Sequence, residues 1–273
     1  MLGGMDAYRL FRVKPGTRVR LSRIDPADTC EFPHREAAAE QLRANTERSL
    51  TLQLRLWAEG RRSLLIVLQG MDTSGKDGTI RHVMSGLDPT GVKVHSFKKP
   101  SEEELSRDFL WRIHQRTPRR GEITVFNRSH YEDILITRVH GMIDDSTASQ
   151  RTRAILDFER LLTENGTTII KFFLHISKDE QRRRLQERLD DPAKNWKFTP
   201  SDVAERRRWK DYQRVFEQAI SATSTRLAPW FVIPADAKWF RNLAVSQVIV
   251  RTLERMNPKI PPPRCDLSSI VIK

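Results

Sequence analysis

LLIVLQGMDTSGKDGTI, residues 64–80, places an apolar run, a glycine-rich turn and a helix start in that order. The run 64–68 has no polar break, as expected of a strand covered on both faces of a parallel sheet. The turn fits Gly70-x-x-x-x-Gly75-Lys76, in which glycines let successive peptide N–H groups face one anion and the helix N-terminus adds its positive end. A strand before and a helix after make this loop a phosphate site rather than an empty glycine-rich turn. Gly70, Thr73, Ser74, Gly75 and Lys76 are its candidate phosphate contacts, with Lys76 neutralising charge on phosphoryl oxygens. Two residues depart from the usual pattern. The Ser or Thr that normally follows the lysine and holds magnesium is replaced by Asp77, and Asp72 puts a second carboxylate inside the loop.

A carboxylate beside bound phosphates is repelled unless a divalent cation lies between them, and oxygen ligands of this kind suit Mg²⁺, with Mn²⁺ as a substitute. Asp72 therefore reads as a metal ligand or as the group that orients an acceptor oxygen. Asp77 sits in the first helical turn, where a negative charge is favoured in any case. For Asp77 the dipole reading and a functional one both stand.

Outward from the loop, strand and helix patterns alternate. Strands are expected at 92–97, 122–126, 167–176 and 230–233, the run TTIIKFFLHI giving the strongest signal. Helices are expected at 102–114, with Leu105, Phe109 and Ile113 on one face, and at 131–140 and 154–165. A charged helix at 178–190 turns Leu185 and Leu189 inward. A long helix capped by Ser201 carries Trp209, Tyr212, Phe216 and Ile220 at helical spacing, and a last one covers 239–256. Such alternation predicts an α/β fold of three layers, α/β/α, around a mainly parallel sheet. The simplest division is an N-terminal arm and helix (1–62), one main domain (63–256) and a tail (257–273). In the arm helix Ala38, Leu42, Ser49, Leu52 and Leu56 form a loose apolar stripe.

The chain of 273 residues carries 48 Lys plus Arg against 35 Asp plus Glu, a formal charge of +13. Such an excess concentrates polyanions by long-range attraction, whether nucleic acid, acidic membrane or polyphosphate. No apolar run approaches the length of a membrane span, and the first residues lack the apolar core of a secretory signal. Cys30 and Cys265 lie too far apart to suggest a disulfide framework or a zinc site. A cytoplasmic protein is expected.

Two further groups carry chemistry. VFNRSHYEDILITR, residues 125–138, follows a strand whose end, in a phosphate-loop enzyme, supplies the magnesium carboxylate. Glu132 and Asp133 are the candidates, Arg128 is placed to grip phosphate, and Asn127 can hydrogen-bond without adding charge. Ser129 reads as a cap, and His130 has no catalytic context. KDEQRRRLQERLDDPAKNWKF, residues 178–198, has the character of a mobile lid whose arginines close over phosphates. Arg184 and Arg188 share a helix face while Arg182 points elsewhere; Lys194, Trp196 and Lys197 mark the tip. Lys98 and Lys99, after the second strand, form another wall of an anion channel.

These stretches resemble the family 2 polyphosphate kinases, a branch of the phosphate-loop kinases. The likeness rests on GMDTSGKDGTIR (70–81), on residues 97–135 from FKKPSEEEL to FNRSHYEDIL, on residues 172–198, and on APWFVIPADAKWFRN (228–242). RLSRIDPADT (20–29) extends it into the arm. The resemblance implies a phosphate-loop kinase fold with a helical lid at about 178–210. It also implies Mg²⁺-dependent, reversible transfer of a phosphoryl group between inorganic polyphosphate and ADP or AMP, giving ATP. FNRSHYEDIL looks like the class III branch, associated with both monophosphates and diphosphates. Asp72, Lys76, Arg128, Glu132 and Asp133 then form the catalytic set, with Asp72, Glu132 and Asp133 toward the metal. Arg182, Arg184, Arg188, Lys194 and Lys197 would meet polyphosphate. Homo-oligomers, tetramers or dimers, are implied, with no specific nucleic acid and no membrane partner. Two competing readings are an ATP-dependent nucleotide kinase of thymidylate-kinase type, disfavoured by the missing hydroxyl after Lys76, and a non-catalytic nucleic-acid binder, for which no binding module is visible.

Overall fold

All seven residues of β1 (Ser63–Gln69) are buried, because this strand lies in the middle of a sheet with layers on both sides. It pairs in parallel with β3 (Ile123–Asn127) on one side and β4 (Thr167–His175) on the other. β2 (Val92–Ser96) and β5 (Trp230–Pro234) add to these, also in parallel, to give the order β2-β3-β1-β4-β5. In this computed structural model residues 5–30, 32, 34–270 and 272 are described. Residues 1–4, 31 and 33 of the expected arm, and 271 and 273 of the tail, lie outside that description.

Helices α1 (Ala7–Leu10) and α2 (Arg35–Glu59) precede the sheet, and α3 (Lys76–Met84) follows β1. Between β2 and β3 lie α4 (Glu102–Leu105) and α5 (Trp111–His114); between β3 and β4, α6 (Ile136–Val139) and α7 (Asp145–Glu164). Three more, α8 (Lys178–Asp190), α9 (Pro200–Arg207) and α10 (Trp209–Thr223), lead to β5, and α11 (Lys238–Met256) comes last. Phe126, Phe172, Phe173, Trp230, Phe231 and Phe240 fill the core from the strands and α11. Helix α2 packs on α11, tied by Asn45 Nδ2 donating to Ser246 Oγ at 2.9 Å. The arm crosses the outer edge of β5, where Val13 N donates to Trp230 O at 2.9 Å and Val232 N to Phe11 O at 3.0 Å. That antiparallel bridge covers an edge that would otherwise offer unpaired peptide groups.

Five local expectations are corrected. The helix at 102–114 is broken into α4 and α5: Asp108 Oδ1 accepts Leu110 N at 2.9 Å, a turn that competes with helical bonding, and Leu105 is exposed. Residues 131–140 begin as a tight turn, His130–Ile134, before α6. The long helix expected from Ser201 divides at Arg208 into α9 and α10, and its cap is Thr199, ahead of Pro200 at the first helical position. Leu189 points outward while Leu185 is buried, so only the first half of α8 packs on the core. Helix α7 also starts earlier than the pattern indicated, at Asp145, with Asp144 accepting Thr147 N at 2.7 Å.

Candidate active site

The carbonyls from Gly70 to Ser74 in the loop after β1 are each held by a side-chain donor. Lys76 Nζ donates to Gly70 O at 2.9 Å and Met71 O at 3.2 Å. Gln181 Nε2 reaches Asp72 O at 3.2 Å, Arg184 reaches Thr73 O at 2.9 Å, and Arg241 reaches Ser74 O at 3.3 Å. With its oxygens turned to these donors, the backbone of the loop is left to present N–H groups to the cleft, as an anion cradle requires. Gly75 is fixed by the same packing: a Cβ there would fall 1.8 Å from the Arg241 guanidinium, and φ is +97°.

Two L-residues in the cleft adopt left-handed backbone, Thr73 at φ +61° and Arg128 at φ +63°. A β-branched residue in that region is strained, and such strain gathers at ligand sites. Asp77, left open by the sequence, is held by Asn127, whose Nδ2 donates to Asp77 Oδ1 at 2.6 Å. The bond ties the first turn of α3 to the end of β3. Ser129 accepts Tyr131 N at 3.2 Å as the expected cap. His130 is fully buried, beside Glu159 at 3.4 Å.

Lys76 retains part of its exposure, yet desolvation in the loop lowers its pKa to about 8. Arg128 pushes in the same direction, while Asp72, Glu132 and Asp77 oppose it, so all four charges act on one ammonium. Asp133 faces elsewhere. Its carboxylate lies 3.8 Å from Arg112 and 3.9 Å from Arg151, Oδ2 is buried without a hydrogen-bond partner, and burial raises its pKa to about 6. Asp72 instead meets Arg188 at 3.2 Å. The expected metal trio Asp72, Glu132 and Asp133 is not gathered into one ligand group, and no three Asp, Glu, His or Cys side chains among the described residues are.

A cleft of about 560 Å³ opens over the loop, walled by Lys98, Arg128, Arg188, Lys194 and Lys197, and by Arg81, Lys238 and Arg241, which the sequence reading missed. Lys99, Arg182, Glu132 and Asp133 are outside its lining. Arg182 is exposed and acts on Arg206 instead. Arg184 is corrected from lid to cradle: it touches the cleft, but its guanidinium is buried among Thr73 O, Ala235 O, Asp236 O and Glu180. Arg188, one turn on, reaches Asp72 and also Asp202 at 3.5 Å, linking loop, α8 and α9. Trp196 stands 77% exposed at the tip, with Lys197 over its ring. Arg241 is buried; its desolvation, helped by Arg184, lowers its pKa to about 9. The one signal for it in the sequence is a polar pair, Arg241-Asn242, on the buried face of α11.

Residues 33–261 match the family described as Polyphosphate kinase 2 (PPK2). The chain belongs to the polyphosphate kinase 2 family. It is 52% identical over 264 residues to the AMP/ADP-polyphosphate phosphotransferase of Meiothermus ruber, covering 96% of this chain and 99% of that one. An ADP-polyphosphate phosphotransferase of Rhodopseudomonas palustris is 45% identical over 267 residues, covering 92% and 91%. The crystal structure of polyphosphate kinase 2 from Arthrobacter aurescens TC1 superposes with a TM-score of 0.93 at 43% identity, covering 97% of this chain and 95% of that one. The phosphate-loop α/β fold is thus that of a polyphosphate kinase 2. No helix among the described residues is long and apolar enough to cross a membrane.

In this polyphosphate kinase 2 the acidic groups suit a hard dication shared with substrate oxygens rather than one caged by protein. Mg²⁺ commonly takes one or two carboxylates and completes its shell with phosphate and water. Asp72 at the loop is a carboxylate of that kind, whereas Asp133 stays beside Arg112 and Arg151 outside the cleft.

Proposed function

We propose that this protein transfers a terminal phosphoryl group reversibly between inorganic polyphosphate and a nucleotide, taking ADP and AMP as acceptors and so forming ATP. The observation that carries the reading is the charge of the cleft. Ten Lys or Arg line it against three Asp or Glu, far more than the phosphates of one nucleotide need.

In the transfer, a P–O bond to the bridging oxygen of polyphosphate breaks and a new one forms to an ionised phosphate oxygen of the acceptor. No proton has to move, so positioning and charge neutralisation dominate. Lys76 and the loop hold the phosphates in line. Arg128, on its strained backbone, neutralises equatorial oxygens, and Asp72 and Glu132 orient the acceptor side. Mg²⁺, or Mn²⁺ in its place, would be held by Asp72 together with substrate oxygens and water and would supply further charge neutralisation. Arg188, Lys194 and Lys197 close from the lid, and excluding water limits hydrolysis. The same proposal includes a cytoplasmic site of action, suited to the two free cysteines, and a homo-oligomer, dimer or tetramer, which sedimentation would read.

The test is incubation with polyphosphate, Mg²⁺ and ADP with ATP as the readout. ATP formation abolished by Lys76→Ala supports the reading. No ATP from polyphosphate, with transfer seen only when ATP is the donor, sinks it.

A further inference from the structure

Residues 9–23, RLFRVKPGTRVRLSR, contain Arg9, Arg12, Lys14, Arg18, Arg20 and Arg23 and no carboxylate. The segment is anchored. Val13, Val19 and Leu21 are buried, and Val19 N donates to Ser221 Oγ at 2.9 Å and Leu21 N to Glu217 Oε1 at 2.6 Å. Between the anchors Lys14, Arg18, Arg20 and Arg23 are exposed. They line a groove of about 850 Å³ that ends at Pro234.

A surface serving only solubility mixes both signs. Here the acidic residues of the groove are turned to backbone: Asp25 accepts Ala27 N at 2.9 Å and Asp28 accepts Cys30 N at 2.7 Å. Among the described residues Arg12, Lys14, Arg18, Arg20 and Arg23 form no ion pair, and Arg12 Nε is buried without a partner. A short run of hydrogen bonds links the groove to the catalytic cleft. Just past Arg23, Ile24 O accepts His175 Nε2 at 3.1 Å, and Pro26 O accepts Asp236 N at 3.0 Å. Asp236 O in turn holds Arg184 at 2.9 Å, and Lys238 lines the cleft. Asp236 lines neither, but its backbone joins Pro26, beside the groove residue Asp25, to Arg184 of the cleft.

We propose that this groove is a second, non-catalytic polyanion site that holds the distal stretch of a long polyphosphate chain whose end lies in the cleft. The inference rests on polyphosphate being the donor. A chain gripped at two sites gains affinity through effective concentration, and each neutralised phosphate adds counterion release.

The test compares wild type with the triple variant Arg18→Ala, Arg20→Ala, Arg23→Ala on long-chain polyphosphate and on tripolyphosphate. KM for the long chain should rise about tenfold, and the slope of log affinity against log salt should shrink by about 2. KM for tripolyphosphate and for ADP should stay within about twofold, since neither reaches the groove. Replacing the three arginines by lysine should restore most of the long-chain affinity. An unchanged long-chain KM, or an equal rise for both donors, overturns the proposal. So does a loss of single-stranded RNA binding without a change in long-chain KM, which would assign the groove to nucleic acid. If wild type forms no ATP from either donor, the donor assignment fails, and calorimetric binding of long-chain polyphosphate to the two proteins still decides the groove.

Discussion

Arg184 and Arg188 stand one turn apart on α8, and their surroundings have little in common. Arg184 is buried, with its donors committed to carbonyls of the phosphate loop and of the β5 end. Arg188 is half-buried, meets carboxylates of the loop and of α9 and the Lys197 carbonyl at the lid tip, and faces the cleft. The inner half of the helix is part of the cradle, and the outer half belongs to the lid. A sequence places both arginines on one face; their partners separate their roles.

The largest effect separating them is expected from Arg184→Met. It orphans three carbonyls and leaves Glu180 to Arg183 alone, a loss of about 3–5 kcal/mol and roughly 10 °C in Tm. Turnover should fall with it as the loop loosens. A normal melting curve would erase the distinction between the two halves.

Asp133 is the opposite kind of buried charge, and it comes next. Asp133→Asn should lower Mg²⁺-dependent turnover less than Asp72→Asn does, since Asp133 lies beside Arg112 and Arg151 outside the cleft. Stability should not fall. With its folded pKa raised above the unfolded value, the native state holds the proton more tightly, so the ionised form weakens the fold as pH rises from about 4 to about 6. Above that window the substitution should be neutral or stabilising, by at most ~3 kcal/mol. Melting curves of wild type and variant at acid and neutral pH check the sign.

Arg188→Ala should leave stability within about 1 kcal/mol of wild type, as for a partly exposed pair. It should also lower kcat/KM for polyphosphate about tenfold through loss of lid closure. A fall in Tm like that of Arg184→Met would move Arg188 into the cradle. The smallest effect is in the pH profile. Lys76 is charged below its pKa of about 8, so kcat/KM in the free enzyme should decline as pH rises through that value. A profile flat to pH 10 would mean the ammonium is not desolvated.

The sheet was legible because its strands are apolar runs, as in 64–68 and 167–176, and the loop because its glycines and lysine lie in fixed order. The breaks at 106–110 and at Arg208 were not, since one Asx turn or one residue between helices leaves the apolar period nearly intact. Asp77 found its role only through Asn127, fifty positions away in the chain. Arg241 was illegible for a related reason: it approaches Ser74 and Gly75 from α11, and no local pattern announces that crossing.

The donor is the claim on which these roles depend. A time course starting from AMP, polyphosphate and Mg²⁺, with no ATP present, tests it most directly. ADP should rise and then fall while ATP accumulates as polyphosphate shortens. Intact AMP and undiminished polyphosphate, in a protein that phosphorylates AMP when given ATP, would contradict it.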